Sequence, residues 1–316
     1  MRSTTFPLVQ TSAPAKVILL GEHAVVFGEP AIAVAINIRL RCRARPNPEY
    51  LMNGVPLSSA HPYVKSCIDS FWTGGPLQIE TQSEIPSGSG LGSSAAVTTA
   101  LIGCLSLLNK KSINQEDIAK RSFEIESLVQ GRASPIDTSC CAHGAGIFVD
   151  RRISDELLWH VKKDIREWFV HHLDIAPMKM VIGYTGFQAP TGPLVAKVKR
   201  FVDRSTFARE VIQEIGAIVQ EGKRCLKKGD QEGLGRLLTR NHKLLAILGV
   251  SHPMLDKLVY AALPYSYGAK LTGAGGGGSM IAITDNPLKV AEAIRIKGGV
   301  PFIVHTGVEG VRVEEA

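Results

Sequence analysis

Four stretches of the chain set chemically capable side chains beside glycines or at the mouth of an apolar run. The first is Pro86, Ser87, Gly88, Ser89, Gly90, Leu91, Gly92, Ser93, Ser94, Ala95 and Ala96. Alternating glycines let a backbone approach a ligand closely. The Ala/Leu/Thr run that continues to Leu108 reads as a buried helix, whose first turn would offer free N–H groups, two serine hydroxyls and the positive end of a dipole. Together these make a phosphate cradle. No Gly-Lys-Ser/Thr follows, so this is not a Walker A loop, and no acidic residue stands at the end of a following strand to complete a dinucleotide fingerprint. By itself the stretch could equally be a flexible turn. The second, Lys270-Leu-Thr-Gly-Ala-Gly-Gly-Gly-Gly-Ser279, has four consecutive glycines. A strand resumes at once with Met280-Ile-Ala-Ile, which argues against a linker.

The third stretch is Ala13-Pro-Ala-Lys-Val-Ile-Leu-Leu-Gly-Glu-His-Ala-Val-Val-Phe-Gly28. Lys16 enters an apolar strand, where a charge is rarely buried without a partner. Glu22 and His23 occupy the turn that follows. A snorkelling lysine and a surface turn is the bland alternative. In the fourth, Glu126 closes one helix, and Asp137 opens the next segment behind Ser134-Pro-Ile. Two carboxylates joined this way could serve as metal ligand and base, or be only a solvated helix end and an N-cap.

Strands and helices must position these groups. Lys16–Leu20, Ala31–Ile38 and Leu77–Thr81 read as strands. Ile113–Gln130 reads as a helix capped by Asn114, with Glu116 and Asp117 in its first turn and Gly131 at its end. Further on, helices are expected over Phe207–Leu226, Gly235–Leu248 (behind a capping Asp230), Met254–Leu263 and Pro287–Ile296, and strands over Ser279–Thr284 and Phe302–Val308. The charged stretch Asp150–Asp174 separates the halves. It places a boundary near residue 175, giving domains 1–175 and 176–316.

The 316-residue length fits about two domains at roughly 100–200 residues each. A net charge of +7 suits small anions as well as nucleic acid. Its densest cluster, Arg39, Arg41, Arg43 and Arg45, alternates with Leu40, Cys42 and Ala44. That alternation suits the solvent face of a strand, not the charge block of a nucleic-acid arm. The six cysteines include no C-x-x-C pair, and no secretory leader is evident, so reduced thiols and a cytoplasmic setting are expected. The longest apolar stretch, Ala95–Leu108, is too short to span a bilayer, so no membrane is expected as a partner.

Taken together, these stretches resemble the kinases named after galactokinase, homoserine kinase, mevalonate kinase and phosphomevalonate kinase. That superfamily is marked by an N-terminal Pro-x-x-Val motif, a central Pro-x-Gly-x-Gly-Leu-Gly-Ser-Ser-Ala motif and a C-terminal glycine-rich motif. All three stand here in order across nearly the whole chain. The N-terminal stretch is most similar to that of the mevalonate kinases, with Ala15 in place of their glycine and Ala24-Val25-Val26 where galactokinases carry Thr-Asp-Tyr. Ser87 and Ser89 replace Pro and Ala of many relatives. Ser134-Pro135-Ile136 departs from the family's Pro-Ser-Gly-Val, but the spacing from Glu126 to Asp137 is kept.

The resemblance implies an α+β, two-domain small-molecule kinase fold. Its N-terminal α/β domain would contain a left-handed βαβ unit, its C-terminal domain would be ferredoxin-like, and the active site would lie between them. It implies ATP and mevalonate as substrates, with Mg²⁺ as cofactor. Asp137 would be the base, with Lys16 beside it and the reacting oxygen. Ser94 and Glu126 would be magnesium ligands, and the loop from Pro86 to Ala96 would wrap the ATP phosphates. Glu22, His23, Thr191 and Gly275 would lie on the substrate side, and a homodimer stays open. Another kinase of the superfamily, such as one for phosphomevalonate, and a non-catalytic ligand-binding protein are the competing readings.

Overall fold

A computed structural model describes residues 7–131, 133–163, 166–188 and 191–315. Two apolar runs begin the fold. β1 (Val9–Leu20) and β2 (Ala31–Pro46) pair antiparallel, from Val9 opposite Ala44 to Leu20 opposite Ile32. Apart from Val9, every residue of β1 is buried. Only Val17–Leu20 is the continuous apolar run of a strand covered on both faces; Gln10, Thr11, Ser12 and Lys16, ahead of it, are polar and buried as well. A short hairpin, β3 (Leu51–Met52) and β4 (Val55–Pro56), turns at Asn53 and Gly54, both at positive φ as a two-residue Asn-Gly turn requires. α1 (Pro62–Phe71) then leads to β5 (Leu77–Ser83), which lies parallel to β3 and antiparallel to one end of β2.

Three helices follow: α2 (Ser93–Leu108), α3 (Gln115–Gln130) and α4 (Ile136–His143). α2 and α4 pack on β1 and β2, and α3 packs on both of those helices. β6 (Gly146–Asp150) pairs with the other end of β2, and the hairpin of β7 (Leu157–Lys163) and β8 (Arg166–Leu173) extends the sheet from there. β9 (Lys179–Tyr184) begins a second sheet. Four helices, α5 (Thr191–Arg204), α6 (Thr206–Lys228), α7 (Gln231–Ile247) and α8 (Pro253–Ala262), lead to β10 (Gly268–Thr272) and β11 (Ser279–Ile283). α9 (Pro287–Ile296) leads to β12 (Val300–His305). The order β10-β11-β9-β12, all antiparallel, is the ferredoxin-like arrangement. β13 (Arg312–Val313) then rejoins the first sheet beside β1. The fold class is thus the α+β kinase architecture that the motifs imply. Among the described residues, no helix is long and apolar enough to cross a membrane.

The local signals fix several elements closely. The Asn114 side chain accepts from the Asp117 N–H, and Gly131 closes α3 in the left-handed region. Asp230 caps α7 in the same way through the Gly233 N–H.

Two expectations need correction. The charged stretch 150–174 is not a separator but contains the β7–β8 hairpin. Its apolar content is concentrated in a few large side chains: Trp159 and Trp168 turn inward, and Phe123 meets each of them edge-on at 6.2 Å. Lys162 and Glu167 face each other on the exposed side, so charge dominates the composition while two indoles hold the hairpin down.

Arg39 is the second correction. Arg41, Arg43 and Arg45 are at least partly exposed, but Arg39 is buried. Its guanidinium donates to the Ser12 Oγ and carbonyl and to the carbonyls of Glu309 and Gly310, fastening the C-terminal segment across the sheet. Burial, with Arg312 nearby, pulls its pKa down to about 10. Arg39→Ala, which orphans these acceptors, is expected to lower unfolding stability by about 2–3 kcal/mol. Arg41→Ala, at a partly exposed ion pair, is expected to stay within about 0.5 kcal/mol. Urea denaturation of the two variants checks this.

Candidate active site

Glycine geometry decides where the loop before α2 runs. Gly92 precedes α2 with φ 79°, in the left-handed region, and no side chain caps the helix. A Cβ at Gly92 would also lie 2.8 Å from Lys16 Cε, so both conformation and space exclude a side chain there. The first N–H groups of α2, with the Ser93 and Ser94 hydroxyls, therefore end uncapped at a cleft of about 340 Å³. Gly88, Ser89 and Gly90 line the same cleft. Leu91, Ala95 and Ala96 are core residues that anchor the loop instead. The Ser87 carbonyl, next to Pro86, accepts from Tyr184 and Gln188, tying the loop to the second sheet.

Lys16 reaches this cleft from inside β1. It is 2% exposed, and its Nζ lies 2.9 Å from Asp137 Oδ1, in the first turn of α4. Asp137, 29% exposed, is the member of the pair open to the cleft. Burial alone would lower the Lys16 pKa, but the Asp137 charge and hydrogen bond, with Cys141 and Glu126, outweigh it and hold the ammonium above its ordinary value. Glu126, near the end of α3, is buried and accepts from Ser94 Oγ at 3.0 Å. Burial, reinforced by the Asp137 charge, pushes its carboxyl up to about 8 against the opposing pull of Ser94 and Lys16. The two carboxylates of the fourth stretch thus converge on one cleft, one paired with a cation and the other beside a hydroxyl.

The turn after β1 forms another wall. His23 stands at φ 61°, ψ −43°, and its ring Nε2 meets the Ala274 carbonyl at 2.9 Å. Burial lowers its pKa, which favours the neutral ring with Nε2–H as donor. Glu22 also borders the cleft, but its carboxylate is taken by Lys270 and Asn241. The tetraglycine loop after β10 closes the opposite side. Gly275 lines the cleft at φ 81°, and a Cβ there would lie 2.0 Å from the Val250 carbonyl. Thr191 opens α5; its side chain lies outside the described residues, as do Ala189 and Pro190.

Sequence reasoning missed Arg166, Gln130 and Val195, which line the same cleft. Arg166 opens β8 and lies 5.2 Å over the Trp168 ring, so the tryptophans of the charged stretch were the available signal. Gln130 sits one turn after Glu126 on α3, at the i+4 spacing that places two side chains on one face.

Two family models match the chain. GHMP kinases N terminal domain matches residues 62–145, and GHMP kinases C terminal matches residues 223–298. The chain is 36% identical to the mevalonate kinase of Pyrococcus furiosus and 37% identical to that of Thermococcus onnurineus, in each case over 97% of this chain and 98% of the relative. The chain belongs to the GHMP kinase family. The crystal structure of L. major mevalonate kinase in complex with R-mevalonate shares its fold, with a TM-score of 0.83 over 98% of both chains at 22% identity. As a GHMP kinase, the protein uses ATP to phosphorylate an alcohol.

The raised Glu126 pKa has a consequence for this GHMP kinase in the absence of ligands. Between its ordinary value of 4.5 and about 8, the folded protein keeps a proton on Glu126 that the unfolded chain has released. This group's contribution to stability is therefore fully present below pH 4.5 and is lost as the pH rises through about 8. Glu126→Gln is expected to flatten that part of the thermal-stability profile and to melt above wild type at pH 8. Thermal melts from pH 5 to about 8.5 on nucleotide- and metal-free protein check it.

Proposed function

We propose that the protein transfers the terminal phosphoryl group of ATP to the 5-hydroxyl of (R)-mevalonate, giving ADP and 5-phosphomevalonate for isoprenoid precursor synthesis. The observation that carries this is the Lys16–Asp137 pair, set in one cleft with the uncapped end of α2. The choice of acceptor is supported by near-full-length similarity to the archaeal mevalonate kinases.

Phosphoryl transfer asks a protein mainly for position and charge stabilisation. The N–H groups at the start of α2 and along the Gly88–Ser94 loop face the β- and γ-phosphates. Asp137 takes the proton from the attacking hydroxyl as the new O–P bond forms and the bond to the ADP oxygen breaks. Lys16, kept charged by its pairing, lowers the effective pKa of that hydroxyl and holds Asp137 in place. Ser94 and Glu126 would hold Mg²⁺: a buried carboxylate beside a hydroxyl, at a phosphate-binding helix end, is the hard-oxygen set that such an ion completes with substrate phosphates. Held by these two residues, such an ion would neutralise charge on the transferred phosphoryl group.

The acceptor lies between the turn after β1 and the tetraglycine loop. Val25 and Val26 pack near its methyl branch, while His23 and Gly275 border its polar end, with Thr191 on the same side. Arg166 supplies a cation for the acceptor's carboxylate. A sugar would need more polar partners than this wall offers.

An ADP-release assay against mevalonate, phosphomevalonate, galactose and homoserine is expected to show turnover of mevalonate, with the other three near background. Faster turnover of phosphomevalonate or homoserine overturns the acceptor assignment. In the same assay Asp137→Asn is expected to lose roughly 10²–10⁴-fold in kcat with nucleotide binding retained. Glu126→Gln is expected to need more Mg²⁺ for half-maximal activity; a superimposable Mg²⁺ titration would remove Glu126 from the metal site.

A further inference from the structure

The turn that carries His23 is held in a costly conformation. The Ala24 N–H donates to the Glu22 carbonyl at 2.7 Å, closing a three-residue turn about His23 at positive φ. A residue with a side chain rarely adopts that conformation unless its surroundings impose it. On one side His23 meets Ala274 through its ring. On another, the Trp168 indole donates to the Val25 carbonyl at 3.3 Å. The third hold is Glu22. Its Oε1 pairs with Lys270 Nζ, and its Oε2 accepts from Asn241 Nδ2 at 3.1 Å. All three side chains are 0–1% exposed. Lys270 Nζ also donates to the Ile18 carbonyl at 3.4 Å, and Thr272 Oγ1 accepts from the Ile18 N–H and donates to the Ile18 carbonyl.

We propose that Glu22, Lys270 and Asn241 form a buried clamp that positions His23 toward the acceptor, and that Glu22 acts through this clamp and does not contact the acceptor. A buried ion pair is a weak source of net stability, because desolvation offsets its attraction. What it does supply is register: it fixes the end of β1 on β10 and α7, and so fixes the turn that begins at Gly21. Lys270 and Asn241 do not line the cleft, so any influence they have on the acceptor is indirect, and Glu22, which both of them hold, is the shared route. The kinetic arm of the test rests on mevalonate as acceptor; the spectroscopic arm does not.

Asn241→Leu keeps the branched shape and removes the donor to Glu22 Oε2. Lys270→Met alone strands a buried carboxylate and risks unfolding, so the partner variant is Glu22→Gln with Lys270→Met, which removes both charges at similar volume. In these two variants, the KM for mevalonate is expected to rise about tenfold or more while the KM for ATP stays within about twofold. In ligand-free protein, the His23 ring nitrogen signals are expected to shift by NMR as the bond to Ala274 loosens, whatever the acceptor. Unchanged His23 signals in both folded variants overturn the clamp. So does an unchanged mevalonate KM, or a parallel rise in both KM values, which would mark a merely structural role. Wild-type protein inactive on mevalonate would sink the proposed function and leave the NMR arm to decide the clamp.

Discussion

An ammonium group inside an apolar strand must find a counter-charge, and most of the active cleft is arranged around that requirement. Lys16 sits in β1 among Ala15, Val17 and the buried residues of β2. Unpaired, it would give up its proton or cost far more than a strand can supply. Asp137 meets the need, but only because α4 begins where it does, against β1 and β2. Once the lysine is fixed, its chain occupies the space beside Gly92, and that residue can carry no side chain. The entry angle of α2, and hence the direction of its free N–H groups, follows. One ion pair thus sets both the charged groups of the cleft and the course of the chain into α2.

The same pairing explains why a second carboxylate is tolerated nearby. Glu126 lies buried beside Asp137, and like charges in that setting favour the protonated form of one of them. The ligand-free cleft therefore holds a carboxyl group that prefers a proton or a cation. Ser94, in the first turn of α2, links this carboxylate to the uncapped start of that helix.

The glycines of the third motif have a different origin. They lie where two backbones meet. Gly273 approaches Gly90, Gly278 approaches Ser89, and Gly275 presses on Val250, at distances a side chain would violate. The second sheet therefore contributes chiefly main chain to the cleft, whereas the first contributes the charged groups. These close approaches join the two sheets together with the buried polar bonds between β1 and β10 and the contacts of β12 with β2.

The sequence alone determined whatever is encoded locally. The loop-to-helix transition at Gly92, the Asn114 cap and Gly131 stop of α3, the span of α9 and the order of the three motifs all rest on neighbours a few residues apart. The family was legible for the same reason, since its motifs are short and continuous. The tertiary structure decided which polar groups lost their water. Arg39 looked like its exposed neighbours at every second position until the C-terminal segment folded over it. The 150–174 stretch read only as charged, because two tryptophans, and not a regular alternation, hold its hairpin down. Glu22 could be read as a substrate-side or a surface turn residue, and nothing near it in sequence announced its partner Lys270, 248 positions away. Capping and periodicity are short-range properties of the chain. The partner of a buried charge is set by which strands end up side by side, and no local pattern records that.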